Sequence, residues 1–224
     1  MAKVIGIIGE SGSGKTTSME GLDPKTTVYI DADKKGLSWK GWRKQYNAEA
    51  KNYIKTDIPQ VIMTALWKIN GGKHPEDPNK ECEPMKGVKT IVIDTMNGIM
   101  VSTEMRNIKV QGYGKWSDLA AFIWNIMDYA LAMRDDLTVI LVFHSITESE
   151  DGVSWTHIRT NGRKLEKLVP ESKLTTVLWA VHQDGKYSFI TSSENSTAKA
   201  PKGAFDKDEI PNDITIVLKA LEEY

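Results

Sequence analysis

The chain is short of cysteine. Cys82 is the single one among 224 residues, which rules out an intrachain disulfide framework and a cysteine-built metal site and fits a reducing compartment. It also lacks an excess of either charge: 29 Lys and Arg stand against 30 Asp and Glu, for a formal net charge of −1. Chains that hold nucleic acid or membrane by bulk charge are usually basic, so any contact with DNA has to come from local patches. The same neutrality leaves little repulsion against self-association. No apolar run approaches the roughly 20 residues that cross a bilayer. The opening Met-Ala-Lys-Val-Ile-Gly runs straight into a strand pattern without the layout of a secretory signal. The expectation is a cytoplasmic protein without a membrane partner, in which Asn195-Ser196-Thr197 matches a glycosylation acceptor only by chance. Internal repeats and low-complexity segments are missing as well.

What is present is an ordinary globular balance, 40% hydrophobic and 26% charged, over a length that favours one domain, residues 1–224. Residues 4–8, 27–30, 90–94 and 137–143 are apolar almost throughout. Strands of that kind are buried on both faces, as in a parallel sheet covered by helices. Helical spacing marks Ile58, Val61, Ile62, Ala65, Leu66 and Ile69, with Asp57 expected as the cap and Pro59 in the first turn. A second helix is read from Leu119, Phe122, Ile123, Ile126, Met127, Ala130 and Met133, capped by Ser117. Residues 70–88 and 148–163 read as exposed loops, the latter mobile. Residues 174–181 and 187–191 form a hairpin around Gln183-Asp184-Gly185, and 214–221 form a last helix. Strands alternating with helices predict an α/β fold: a mostly parallel central sheet flanked by helices, with an antiparallel edge hairpin near the C-terminus.

The sharpest motif is Gly9-Glu10-Ser11-Gly12-Ser13-Gly14-Lys15-Thr16, which fits G-x-x-x-x-G-K-[ST] in full. Glycines let the backbone wrap a phosphate and turn its N–H groups inward. A helix expected to open near Lys15 would aim its positive end at the same anion. Lys15 carries charge to the β- and γ-phosphates, and Thr16 offers Mg²⁺ a hydroxyl. A chance match is expected in about one such chain in a hundred, and here a strand precedes the motif. Asp94 closes the strand Thr-Ile-Val-Ile-Asp, at the sheet edge where ligands bind in open α/β folds. Its carboxylate can hold the metal's water shell opposite Thr16, or cap the next helix.

The ordered set Gly-Glu-Ser-Gly-Ser-Gly-Lys-Thr-Thr, ending at Thr17, then Val28-Tyr29-Ile30-Asp31-Ala32-Asp33, Ile91-Val92-Ile93-Asp94-Thr95 and Leu141-Val142-Phe143-His144 resembles the RecA-type ATPase core. More narrowly, with Thr197-Ala198-Lys199-Ala200-Pro201-Lys202-Gly203 and Ile210-Pro211-Asn212-Asp213, it is similar to short RecA-core ATPases of bacteriophages implicated in single-strand DNA annealing and recombination. The resemblance implies ATP and Mg²⁺ as cofactors and a place in an infected bacterial cytoplasm. It implies self-association, single-stranded DNA as partner, and contact with other recombination or replication proteins.

By the same resemblance Asp33 activates the attacking water, where RecA carries the longer glutamate; helix capping is the other reading. His144 stands where RecA has a glutamine that feels the γ-phosphate; the alternative is a histidine bonded to backbone at a strand end. Lys199, or Lys202, reaches into a neighbouring subunit's site, unless it is an ordinary loop lysine. DNA is expected on two segments. The first holds Arg106, Lys109, Tyr113, Lys115 and Trp116, and the second Trp155, His157, Arg159, Arg163 and Lys164. Cations there neutralise phosphates and rings stack on bases, although Glu148, Glu150 and Asp151 oppose a cationic surface and Trp116 can instead pack in the core. A second basic and aromatic cluster, Lys34, Lys35, Trp39, Lys40, Trp42, Arg43 and Lys44, reads as a subunit or DNA surface or as a snorkelling face. Two other classes remain open. A small-molecule kinase would need an arginine-rich lid, for which 148–163 offers only Arg159 and Arg163. A nucleotide-dependent assembly protein would not touch DNA.

Overall fold

Four apolar runs of the sequence meet at the centre of one sheet. A computed structural model of the chain describes residues 1–109, 114–161, 167 and 169–224. In chain order the elements are β1 (Lys3–Gly9), β2 (Thr27–Asp31), the single turn α1 (Trp42–Gln45), β3 (Tyr53–Lys55), α2 (Pro59–Asn70), the short strands β4 (Gly72–Lys73) and β5 (Glu81–Cys82), and β6 (Thr90–Asp94). There follow α3 (Met96–Arg106), α4 (Gly114–Ala132), β7 (Thr138–Glu150), β8 (Val153–Ile158), β9 (Thr176–Gln183), β10 (Lys186–Ile190), β11 (Glu209–Pro211) and α5 (Ile214–Ala220). The spatial order is β11-β10-β9-β1-β7-β6-β2-β3, with β8 paired to β7. The pairs from β9 through β1, β7, β6 and β2 to β3 are parallel, while β9–β10 and β10–β11 are antiparallel. This is the predicted α/β class, a parallel-centred sheet with antiparallel strands at one edge.

The continuous apolar runs are explained by period-two packing onto two covered faces. Ile91 and Ile93 of β6 and Val139, Leu141 and Phe143 of β7 face one cluster, which α2, α3 and α4 complete with Leu66, Met100 and Ile123. Val92, Ile140 and Val142 face the other, with Met19, Tyr46, Ile214 and Val217. Register then decides what the sheet's edge carries. Gly9 lies opposite His144, Asp94 opposite Val142, and Asp31 opposite Asp94. Because β7 is inserted between β1 and β6, its end falls between the glycine loop and Asp94.

Several local expectations are corrected. The loop at Gly9–Thr16 leads into one 3-10 turn, Thr17–Met19, and not into an α-helix; Gly21 and Pro24 follow too closely for a longer helix to form. Asp57 does not cap α2, whose N-cap is Ile58 with Pro59 in the first turn; it is paired instead with Lys34 and Arg106. Ser117 lies inside α4, which begins at Gly114. Helix α3, unforeseen, is capped by Thr95, whose side chain accepts from the Gly98 N–H. Of the basic and aromatic cluster near residue 40, Trp39 is core: it packs edge-on to Tyr29 and Tyr46. The exposed stretch 70–88 contains the small antiparallel pair β4–β5.

The largest difference concerns residues 148–163. Strand β7 runs on to Glu150 and returns as β8, so most of the expected mobile loop is an antiparallel ribbon. Hydroxyls bridge it, Thr147 to Thr156 at 2.9 Å and Ser149 to Ser154 at 2.8 Å. The turn is Asp151-Gly152, both with positive φ (50° and 81°). An Asp-Gly pair suits the two-residue turn that matches strand twist, and polar alternation around it hid the strands.

A Cβ added at Gly152 would meet open space, so Gly152→Ala isolates the backbone effect of that positive φ, about 1–2 kcal/mol. Amides of 145–158 are expected to exchange about tenfold faster in this variant, and global unfolding to need correspondingly less urea, because the unfolded chain is free of the strain. Hydrogen-exchange mass spectrometry beside urea unfolding measures both.

Candidate phosphate-binding site

Gly14 has φ +89°, and a Cβ there would lie 2.8 Å from the Tyr187 ring and 2.9 Å from Asn212 Oδ1. Only glycine lets the loop pass under β10 and the approach to α5. Among the described residues, the N–H groups of Gly12, Gly14, Lys15 and Thr16 make no backbone hydrogen bond. With no α-helix behind the loop, attraction for an anion rests on these donors and on Lys15. The pocket in front of them has about 290 Å³ and is lined by Lys15, Thr16, Asp94, His144 and Tyr187, among others. A larger cavity of about 410 Å³, between Glu10–Ser13 and Trp179–Gln183, faces the loop's other side and holds none of those groups. The smaller pocket is the one that gathers the lysine, the threonine and the carboxylate of the motif.

Lys15 is 6% exposed. Its ammonium donates to the carbonyls of Gly9 at 2.7 Å and Glu10 at 2.5 Å. Burial pushes its pKa down to about 8, against the opposing pull of Asp94, while Lys35 adds to the depression. Thr16 Oγ1 donates to Asp94 Oδ2 at 2.7 Å, and the Tyr29 hydroxyl donates to the same oxygen at 2.6 Å. Burial raises the Asp94 pKa, and the Tyr29 and Thr16 donors oppose the rise. Asp94 Oδ1 is buried with no partner. A buried carboxylate oxygen left over beside a threonine hydroxyl fits a Mg²⁺ ion with its waters. No cluster of three or more His, Cys, Asp or Glu suited to a metal occurs among the described residues. Sequence reasoning missed Tyr29, although a lone aromatic in an apolar strand, two residues before the Asp31 that lies opposite Asp94, was its trace.

Asp33 sits on the turn after β2. Asp31 shapes that turn by accepting from the N–H groups of Lys34 and Gly36, both at 2.8 Å, and from the Tyr53 hydroxyl. The Asp33 carboxylate caps no helix. It accepts from Thr95 Oγ1 at 2.9 Å and from Lys35 Nζ at 2.6 Å. Burial works against the Lys35 charge, but the hydrogen bond and charge of Asp33 hold its pKa above the ordinary value. A cleft of about 640 Å³ lined by Asp33, Lys35, Arg106 and His144 adjoins the phosphate pocket. His144 is half-buried between the two. Burial first and the Lys15 charge second lower its pKa, so the ring is a neutral imidazole at neutral pH, able to donate from one nitrogen.

The remaining predicted residues lie apart. Lys199 pairs by backbone with Val177, and its ammonium donates to the Glu171 carbonyl of its own chain at 2.9 Å. The guanidinium of Arg106 is bound to Asp57, which ties α3 to the start of α2. Lys109 is exposed just beyond α3. On the ribbon Trp155 is 44% exposed and Arg159, at its root, is exposed too. His157 faces Glu148. Tyr113, Arg163 and Lys164, and the side chains of Lys115 and Trp116, lie outside the described residues.

A glycine loop at the end of a central parallel strand, a buried lysine within it and a carboxylate bonded to its threonine define a phosphate-loop nucleotide-binding protein. The family model described as AAA domain matches residues 1–200. The chain belongs to that family of nucleotide-binding ATPases. No curated protein matches the sequence closely enough to add a named relative. Among the described residues no helix is long and apolar enough to cross a membrane.

The depressed Lys15 pKa has a definite sign. Between about 8 and the unfolded value of 10.5 the unfolded chain holds the proton that the folded chain has released. Stability without nucleotide therefore rises with pH through that window and falls back as pH drops through 8, by up to about 3 kcal/mol. Lys15→Met is expected to flatten this rise and to be more stable than the wild-type chain at pH 7. Urea unfolding from pH 7 to 10 checks it.

Proposed function

We propose that this chain hydrolyses ATP with Mg²⁺ at the Lys15–Thr16–Asp94 pocket and couples turnover to single-stranded DNA in phage-type recombination or annealing, working as a homo-oligomer. One observation carries the reading: His144 lines the pocket that holds Lys15, Thr16 and Asp94, and Asp33 lines the adjoining cleft, bonded to Thr95 of that pocket. On this reading Lys15 leaves the Gly9 and Glu10 carbonyls for the β- and γ-phosphate oxygens. The residues Gly9, Glu10, Ser11, Gly12, Ser13, Gly14 and Thr17 line the path of the triphosphate. Thr16 and Asp94 would hold the Mg²⁺ ion, which when bound would supply positive charge against the triphosphate. Asp33 orients the attacking water and accepts its proton. Neutral His144 donates to a γ-phosphate oxygen. Lys199 or Lys202 from a neighbouring copy supplies the cation that such transition states need; in the isolated chain Lys199 must first leave Glu171.

The choice of ATP, the DNA partner and the phage context rest on the RecA-type resemblance. Their support is the ribbon: it starts beside His144 and presents Trp155 and Arg159 to solvent. Stacking on an exposed tryptophan is worth about 1–3 kcal/mol per base.

Lys15→Ala is expected to abolish tight ATP binding. Asp33→Asn should spare binding and cut turnover by about 10²–10⁴-fold; undiminished turnover removes Asp33 as the base. ATPase rates with and without single-stranded DNA, beside a mass measurement in solution, test the whole. Replacing Trp155 and Arg159 by Ala should weaken single-strand binding at least about tenfold. No binding of the wild-type chain at low salt, with or without nucleotide, leaves an ATP-driven assembly protein in place of a DNA-acting one.

A further inference from the structure

Strand β7 changes partner at one point. Up to Val142 it pairs in parallel with β6, and from Ser145 onward it pairs antiparallel with β8. His144 falls in the gap, where neither strand supplies its full set of bonds. The gap is filled by a side chain. Asn97, in the first turn of α3 and only 5% exposed, accepts the His144 N–H on its Oδ1 at 2.7 Å. Its Nδ2 donates to the Arg159 carbonyl at 2.7 Å. The Arg159 N–H donates back to the His144 carbonyl at 2.8 Å. Three hydrogen bonds thus close a ring through α3, β7 and the root of the ribbon.

Each corner of that ring has a different attachment. Helix α3 is capped by Thr95, next to Asp94, and Thr95 is bonded to Asp33. His144 lines the phosphate pocket. Arg159 ends the ribbon. The ribbon has a second anchor, Glu171, whose carboxylate accepts the Ile158 N–H at 2.6 Å, but Glu171 does not line the phosphate pocket. A primary amide is the side chain that can both accept from one backbone and donate to another. An aspartate would face the Arg159 carbonyl with a second acceptor, and an alanine would take the side-chain partner from both the His144 N–H and the Arg159 carbonyl.

We infer that Asn97 is a positioning residue that transmits nucleotide occupancy from His144 to the β7–β8 ribbon, so that binding at the phosphate loop changes the order of the ribbon through this amide. The inference rests on the nucleotide-binding reading above and adds the link by which that site acts at a distance. A shift of the His144 backbone toward a γ-phosphate moves an acceptor–donor pair rigidly shared with Arg159, and the ribbon follows as one unit because hydroxyl bridges and strand pairing hold it together. Coupling of this kind needs an element with differential contacts in the two states, and here the splice between β6 and β8 is that element.

Hydrogen exchange on the full chain tests it, with and without Mg²⁺ and a non-hydrolysable ATP analogue. In the wild-type chain the analogue is expected to slow exchange of 145–158, and of the His144 and Arg159 amides with it, by about tenfold. In Asn97→Asp, which keeps the acceptor for His144 and sets a second acceptor against the Arg159 carbonyl, analogue affinity should stay within about threefold while the ribbon response falls below about twofold. Asn97→Ala should lose the response as well. Thermal unfolding identifies any variant that fails to fold; the joint slowing in the wild-type chain then decides. A full ribbon response in folded Asn97→Asp, or an analogue that binds the wild-type chain without slowing the ribbon, overturns the inference. An analogue that does not bind the wild-type chain overturns instead the nucleotide reading on which it rests.

Discussion

The hydrogen bond from the Thr16 hydroxyl to the Asp94 carboxylate joins two parts of the sheet that are not neighbours. β1 and β6 are separated by β7, so their axes lie roughly 10 Å apart at a strand spacing of about 4.8 Å. The glycine loop crosses that distance over the end of β7, which puts His144 under the crossing. Everything else at the site follows from this span. Tyr29 fixes the far end by bonding the same carboxylate oxygen, and its own ring is fixed by Trp39 and Tyr46. The second Asp94 oxygen is left buried and unpaired, a state that costs free energy in an isolated chain and becomes useful when a hydrated cation arrives.

The pocket is held under electrostatic tension of a kind that suits a polyanion. Lys15 is buried and its charge is disfavoured, yet Lys35 lies near enough to disfavour it further. Asp33 neutralises Lys35, and Asp94 partly compensates Lys15. A triphosphate would relieve the two cations at once, while the metal would relieve Asp94. Without an α-helix behind the loop, little of the attraction comes from an aligned backbone dipole. Charge complementarity and the loop's own N–H groups carry it. The residues that serve chemistry are therefore also residues that the unliganded fold accommodates at a cost, as expected where local consistency is sacrificed for function.

The ribbon changes how the site can communicate. A mobile loop after His144 would transmit little, since its ends move independently. An antiparallel pair with bridging hydroxyls moves as a lever, and its root is clamped within hydrogen-bonding distance of the phosphate pocket. Acidic residues at its tip and an exposed tryptophan opposite Glu148 give it a surface of mixed chemistry.

The sequence by itself determined the sheet's core and the phosphate loop. Unbroken apolar runs such as Thr-Ile-Val-Ile-Asp can be stable only when both faces are covered, and glycines around a lysine and threonine at fixed spacing leave few alternatives to an anion cradle. It also indicated the edge hairpin at Asp184-Gly185. After Thr16, Gly21 and Pro24 limit the chain to a short turn that the phosphate-loop motif does not announce, and polar surroundings obscure the Asp151-Gly152 turn signal. What tertiary structure alone decided is which distant groups meet. Tyr29 touches Asp94, Thr95 touches Asp33, and Asn97 joins His144 to Arg159 because strand order and register bring those positions to one edge. No spacing along the chain encodes a contact between residues 62 or 65 positions apart. Such contacts come from the insertion of β7 between β1 and β6, which depends on how all the buried faces pack together.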